Sequence, residues 1–134
     1  MIYLATYIGL LLIAIAGFSD AIIDTILFHY DISKFKNPKF NQSFWNNTIS
    51  WRNKYKNQDE KQGAKFIGST TVFVMFTDAF HLFKFIRKIC LFSSVAIISF
   101  VAENPLQLVF ILFIYWIFFG LIFSLFFEEF KIKK

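Results

Sequence analysis

The sequence predicts an all-α integral membrane protein with three transmembrane helices, a fourth span being the alternative, and a cytoplasmic loop rich in aromatic and basic residues. Mean hydropathy is +0.55 and 17% of the 134 residues are charged, whereas about a quarter of the residues in soluble domains are charged. Residues 1–19 and 106–127 contain no charged residue, and uncharged apolar runs of about 18 residues or more are typical of membrane spans. The length predicts a single domain, residues 1–134.

The first predicted span is a helix over residues 2–28. Its start, M-I-Y-L-A-T-Y, has no Lys or Arg, whereas a cleaved signal peptide begins with a positively charged region. We therefore expect a retained span, with Asp20 and Asp24 at its far boundary.

The last predicted span covers residues 105–127. Asn104 is a favourable N-cap, and Pro105 suits the first helical turn. At a rise of about 1.5 Å per residue, the apolar run that follows is about 33 Å long, which is enough to cross the hydrocarbon core.

Residues 64–102 can be divided in two ways. They form either two spans, at 66–86 and 89–102, or one span at about 70–102. In the single-span division, residues 89–102 alone cover only about 21 Å. The part that crosses the membrane must therefore include roughly residues 83–88, and the basic side chains of Lys84, Arg87 and Lys88 must reach toward water along their aliphatic stems.

The distribution of basic residues favours the single span. Of the 14 Lys and Arg, none precedes residue 34, eight lie in 34–65 and three end the chain. Basic residues concentrate on the cytoplasmic side of membranes, and only three spans place all of them there. We therefore predict an N-terminus outside, a loop at 30–65 and a C-terminus in the cytoplasm, with the bacterial inner membrane as the expected location.

A polar stripe runs through the apolar segment V-F-V-M-F-T-D-A-F-H-L-F-K-F-I-R-K, residues 72–88. If residues 70–88 form one helix, seven polar side chains share an arc of about 140°. These are Thr70, Thr71, Thr77, Asp78, His81, Lys84 and Lys88. Asp20 and Asp24, at i and i+4, share a face of the first helix, and His29 can join them only if that helix ends before it. Together these residues predict a polar pocket at the cytoplasmic membrane face.

The pocket residues suit metal-assisted chemistry on a lipid or a lipid phosphate. Carboxylate and imidazole ligands favour Zn, Mn or Fe, and carboxylates alone favour Mg. A divalent metal ion would be the cofactor. The predicted metal ligands are Asp20, Asp24, Asp78 and His81, the predicted catalytic residues are Asp24, Asp78 and His81, and the predicted phosphate- or lipid-binding residues are Arg52, Lys54 and Lys84.

Three alternatives remain open at this point. D-x-x-H is an unspecific spacing, and polar side chains also join helices inside membranes. The chain is in addition compatible with a non-catalytic membrane assembly, such as a holin-like phage protein or another homo-oligomer. A proton or ion conductor that uses the Asp and His side chains is the third alternative.

The central loop is rich in aromatic, basic and Asn residues. If residues 44–57 are helical, Phe44, Trp45, Ile49, Trp51 and Tyr55 share one face, which predicts an in-plane interfacial helix that binds anionic lipid head groups. Asn is a poor helix former, so an extended loop is the alternative. We expect no nucleic-acid partner, because the cytoplasmic location already explains the positive charge.

Two segments, S-W-R-N-K-Y-K at 50–56 and S-T-T-V-F-V-M-F-T-D-A-F-H-L-F-K at 69–84, together resemble small uncharacterised membrane proteins of bacteria and their phages. The resemblance covers roughly residues 44–84. It implies that the loop and the polar stripe form one unit, and it carries no activity with it.

Overall fold

The structure, a computed structural model, describes residues 2–132. Within that range the chain is helical, without a β-strand. Three long helices, α1 (Ile2–Phe28), α4 (Ala79–Val101) and α5 (Pro105–Phe130), form the body of the protein. Two short helices, α2 (Gln42–Trp45) and α3 (Asn47–Ser50), lie in the segment between α1 and α4 together with several 3-10 turns. We call residues 29–78 the cap.

Helix α1 is the central helix, and it packs against both α4 and α5, which scarcely touch each other. Near the cap, Ile22 and Ile26 of α1 pack with Ala79 of α4, and Phe130 of α5 covers them. At the other end, Ile13 packs with Ile98 and Tyr115. Helix α4 is therefore antiparallel to α1 and α5, and the cap lies at the same end as the C-terminal end of α5.

Small residues allow the close approach of α1 and α5. A Cβ atom at Gly17 would lie 2.9 Å from the Phe119 carbonyl oxygen, and such distances are too short for any residue but glycine. The Tyr115 hydroxyl also donates a 2.9 Å hydrogen bond to the Thr6 carbonyl oxygen. Small and polar residues of this kind are typical of helix interfaces in membranes.

Two helices, α1 over Tyr3–Phe28 and α5 over Pro105–Phe130, are long and apolar enough to span a membrane. Helix α5 in particular exposes many large apolar side chains, among them Leu106, Val109, Phe110, Phe113, Trp116, Leu121 and Leu125. The bounds of α1 and the start of α5 coincide with the predicted helices, and the Asn104 side chain accepts a hydrogen bond from the Gln107 N–H as an N-cap does.

The middle helix begins later than predicted. It starts at Ala79 and not near residue 70, so Thr70 and Thr71 lie in turns and the seven-residue polar stripe does not form. The reason is local: Asp78 has an extended backbone and its carboxylate accepts the His81 N–H at 2.9 Å, which fixes the helix start.

The predicted in-plane helix over 44–57 is also wrong as a continuous element. Asn46 interrupts it, because its side chain accepts the Thr48 backbone N–H and starts the short helix α3. Asn41 starts α2 in the same way by accepting the Ser43 N–H. The alternative, an extended loop, is not observed either, because the segment folds into short α and 3-10 helical segments.

The cap folds around the Gln42 amide and a cluster of aromatic rings. The two N–H groups of the Gln42 amide are shared among three carbonyl oxygens at 3.0–3.2 Å, those of Phe35, Asn37 and Phe40. The amide oxygen accepts the Tyr30 hydroxyl. Phe35 is buried and stacks on Trp45 with ring centroids 4.5 Å apart. The cap is thus an ordered unit.

Aromatic and polar contacts join the cap to α4 and α5. The ring centroids of Trp45 and Phe83 of α4 are 5.8 Å apart, and those of Phe35 and Phe130 of α5 are 5.1 Å apart. The Ile132 N–H donates to the Ile32 carbonyl oxygen at 2.7 Å. These contacts connect the end of the chain to the beginning of the cap.

Candidate functional site

Asp78 and His81 form a close pair at the start of α4. Asp78 is fully buried, and its two carboxylate oxygens lie 2.9 and 2.8 Å from His81 Nδ1. A carboxylate only accepts hydrogen bonds, so Nδ1 carries the ring proton and Nε2 is the basic nitrogen. The His81 side chain is 26% exposed. The pair therefore presents an oriented imidazole at the edge of the helix bundle.

The cap holds this pair in place. Thr77 Oγ1 lies 2.9 Å from the second carboxylate oxygen of Asp78 and 2.7 Å from the Val74 carbonyl oxygen, so these two acceptors share its hydroxyl proton. The Asn53 amide donates to the Thr77 carbonyl oxygen at 3.0 Å and to the Ser43 carbonyl oxygen at 2.6 Å. Asp78 thus occupies a position that the cap, and not only α4, determines.

Asp20 of α1 pairs with Arg87 of α4, an interaction that the sequence analysis missed. Arg87 Nη1 donates to Asp20 Oδ1, and the side chains are only 29% and 19% exposed, respectively. Each residue lies eight positions, about 12 Å, from the cap end of its helix. This equal distance becomes visible only once α4 is known to begin at Ala79.

Asp24 lines an open groove between α1 and α5. The groove has a volume of about 530 Å³, and its walls include Asp20, Trp116, Gly120 and Ser124. Asp24 lies in the electrostatic field of Asp20, Arg87 and His29. It therefore faces α5, whereas Asp78 is held at the start of α4.

The predicted metal ligands do not form one metal site. Among residues 2–132, no group of three or more His, Cys, Asp or Glu side chains could hold a metal ion. His29 lies just past the end of α1, as one alternative required, but its ring packs against Phe127 at 5.3 Å. A four-ligand site is thus without support from the described residues, although the paired Asp78 and His81 are brought together as predicted.

The three residues predicted to bind phosphate lie over aromatic rings. Arg52 is 5.3 Å from the Trp51 ring centroid, and Lys54 is 5.2 Å from that of Tyr55. Lys84 is 5.1 Å from that of Phe80. Within the part of the chain that the structure describes, none of the three charges forms an ion pair with a carboxylate, so the cation–π contacts are what position them. Phosphate binding by them stays a prediction.

Comparisons with protein-family models, with curated proteins and with solved structures found no match to this chain. The resemblance to small membrane proteins of bacteria and phages therefore stays a prediction, and the function has to be argued from the site.

Proposed function

We propose that the protein spans the membrane three times, with α4 as the additional span. Helix α4 has 23 residues and is about 34 Å long, against a hydrocarbon core of about 30 Å. The charged side chains of α4 all lie in its cap half. Arg87 is paired with Asp20, which lowers the cost of burial in lipid, and the exposed Lys88 side chain is long enough to extend its ammonium toward the interface. The cap and the end of α5 lie on one side, where eight of the basic residues occur between 34 and 65. This supports a cytoplasmic cap and C-terminus in a bacterial inner membrane, with the N-terminus outside.

We further propose that the protein is a membrane-embedded enzyme that hydrolyses an ester of a lipid or a lipid phosphate, with His81 as the acid–base residue. The observation that carries this proposal is the buried Asp78 carboxylate on Nδ1 of a partly exposed imidazole. A carboxylate in this position fixes the tautomer and stabilises the imidazolium.

The proposed step is a single proton relay. His81 Nε2 takes a proton from a water molecule while the water oxygen attacks the ester and the bond to the leaving oxygen breaks. The imidazolium then returns the proton to the leaving oxygen. General acid–base catalysis of this kind contributes about 10²- to 10⁴-fold. Arg52, Lys54 and Lys84 would bind the phosphate of the substrate, and Asp24 has no part in this step.

A metal-independent acid–base pair is the version that the contacts support best. If a divalent metal takes part, Asp78 and His81 can supply at most part of its ligands. Conduction of protons is less well supported, since Asp20 is paired with Arg87 and Asp78 is hydrogen-bonded from the cap. A non-catalytic assembly through the exposed face of α5 is the second candidate.

The test is to reconstitute the protein in nanodiscs and follow hydrolysis of a phospholipid panel by mass spectrometry. Asp78→Asn is the most informative variant, because Asn is an equally good N-cap but lacks the charge that orients His81. We expect it to fold normally and to lose activity about as fully as His81→Ala, whereas the other histidine variant, His29→Ala, keeps it. Metal content of the same samples tests the metal-dependent version.

Two results would contradict the enzyme proposal. One is a folded wild-type protein that turns over none of the lipids. The other is activity that survives both His81→Ala and Asp78→Asn. Either result would favour the non-catalytic assembly, which is tested by measuring the oligomeric state of the protein in nanodiscs.

A further inference from the structure

A second cavity lies where the cap meets the end of α5. Its volume is about 780 Å³, and it is open to the exterior. We call it the basic pocket; it is lined by Lys34, Lys36, Asn37, Phe40, Glu129, Lys131 and Ile132. It shares no lining residue with the groove of Asp24, and it is separate from Asp78 and His81. None of its lysines was among the predicted phosphate-binding residues.

The walls of the basic pocket carry more positive than negative charge. Lys34, Lys36 and Lys131 line it, with Glu129 as the lining carboxylate. Three ammonium groups in one concave site provide several hydrogen-bond donors for an anion, and lysine is a common phosphate ligand. The chemistry of the walls therefore favours an anionic group such as phosphate.

The carboxylates that already pair with these lysines are exposed. Lys34 contacts Glu129, and Lys131 contacts Glu128 at 2.9 Å, with the two carboxylate side chains 61% and 68% exposed. Lys36 contacts Asp31 at 2.8 Å, and that side chain is 86% exposed. Ion pairs in such exposed positions contribute little to stability. They keep the lysine side chains at the pocket, and an incoming anion can take their place.

An apolar path leads into the basic pocket along α5. Leu121, Leu125 and Glu129 follow each other at i, i+4 and i+8, so they lie on one face of the helix. Leu121 and Leu125 are each 63% exposed. The pocket itself adds the partly exposed side chains of Phe40 and Ile132. A lipid with its chains along this face would bring its head group to the lysines.

We propose that the basic pocket binds the phosphate of an anionic membrane lipid. The apolar path formed by Leu121 and Leu125 is the reason for choosing a lipid over soluble phosphate, because a free anion makes no contact with apolar side chains. Basic pockets on the cytoplasmic side are known to hold lipid head groups. The inference needs the membrane orientation but does not depend on the activity proposed for His81.

The experiment measures lipid binding to the full chain in neutral detergent by native mass spectrometry and thermal shift. The probes are phosphatidylglycerol, phosphatidylcholine and inorganic phosphate. The pocket variant is Lys34→Gln with Lys131→Gln. Its matched control, Lys56→Gln with Lys61→Gln, removes the same charge from two exposed lysines elsewhere in the cap. Lys36→Gln is a second pocket variant. In the wild type Lys36 pairs with Asp31, whose side chain is 86% exposed, so loss of that pair should disturb the fold little.

We expect phosphatidylglycerol to bind and to stabilise the protein, with affinity reduced at least tenfold in the pocket variant, reduced severalfold in Lys36→Gln and changed less than twofold in the control. Equal losses in the pocket and control variants would overturn the proposal, because they indicate general attraction between charges. Competition by inorganic phosphate at the same concentration as the lipid would also overturn it, because the site would then select free phosphate. Loss of hydrolysis by His81→Ala with normal lipid binding would separate the two proposals.

Discussion

The ion pair between Asp20 and Arg87 should contribute more to stability than a surface pair. We expect Arg87→Gln to destabilise the protein by about 2–3 kcal/mol. Removing one partner of a fully buried pair costs about 3–5 kcal/mol, and these side chains are still 29% and 19% exposed, which reduces that value.

If the helices span the membrane as proposed, the depth of the ion pair gives a similar value for the destabilisation by Arg87→Gln. Helix α1 has 27 residues and is about 40 Å long, so it exceeds a core of about 30 Å by about 5 Å at each end if it is centred. Asp20, about 12 Å from the cap end, then lies about 7 Å inside the hydrocarbon. An unpaired charge at the centre of a helix costs about 2.5–3.5 kcal/mol on insertion scales, and the cost is lower nearer the interface.

The assay is denaturation by SDS in mixed micelles, followed by circular dichroism. The double variant Asp20→Asn with Arg87→Gln should recover about 2 kcal/mol relative to the sum of the two single variants, because it leaves no unpaired charge. Lys88→Gln is the matched control, since it removes the same charge one residue further along α4 from an exposed side chain that can extend toward water, and it should cost less than about 1 kcal/mol. The reasoning is refuted if Arg87→Gln is as stable as Lys88→Gln or if the two single effects simply add.

Two further predictions follow from the helix interface and the cap. Gly17→Ala should destabilise the protein by about 1–3 kcal/mol through overpacking, because the added Cβ would lie 2.9 Å from a backbone oxygen of α5. In Gly120→Ala the added Cβ would face open space, so this control should be stabilised by up to about 1 kcal/mol through helix propensity. A Gly17→Ala variant that is as stable as the wild type in chemical denaturation would contradict the packing. Burial raises the pKa of the Tyr30 hydroxyl above its usual 10.0, so the unfolded chain ionises first and stability should fall as the pH rises past about 10. Tyr30→Phe should cost about 1–2 kcal/mol at neutral pH through its lost hydrogen bonds and should reduce that alkaline slope; an unchanged slope would show that other groups cause it.

The long helices were predictable because their signals are local. An uncharged apolar run determines α1 and α5, and Asn104 followed by Pro105 marks the start of α5 without reference to any other part of the chain. The start of α4 had a local signal too. Asp78 directly before Ala79 is a favourable N-cap, but a helical wheel that continues through Asp78 treats it as an interior residue.

The site was only partly predictable because its other contacts are between distant segments. The spacing of Asp78 and His81 along the chain suffices to bring them together. The partner of Asp20 depends on how α4 is rotated against α1, which hydrophobicity alone does not specify. The basic pocket depends on Lys131 lying beside the cap after 26 residues of α5. No spacing rule connects such residues.

The unequal packing of the three long helices implies an order of assembly. Helix α1 packs on α4 and on α5, while those two scarcely touch. The chain is synthesised from its N-terminus, so α1, the cap and α4 are complete before α5 leaves the ribosome. The contacts between α1 and α4 do not need α5, so these two helices can pack as a hairpin closed by the cap. Helix α5 then packs against the side of α1 that contains Gly17. Only its arrival supplies Phe130 to the aromatic cluster and Lys131 to the basic pocket, so a nascent chain without α5 would have the acid–base pair but not the proposed lipid site.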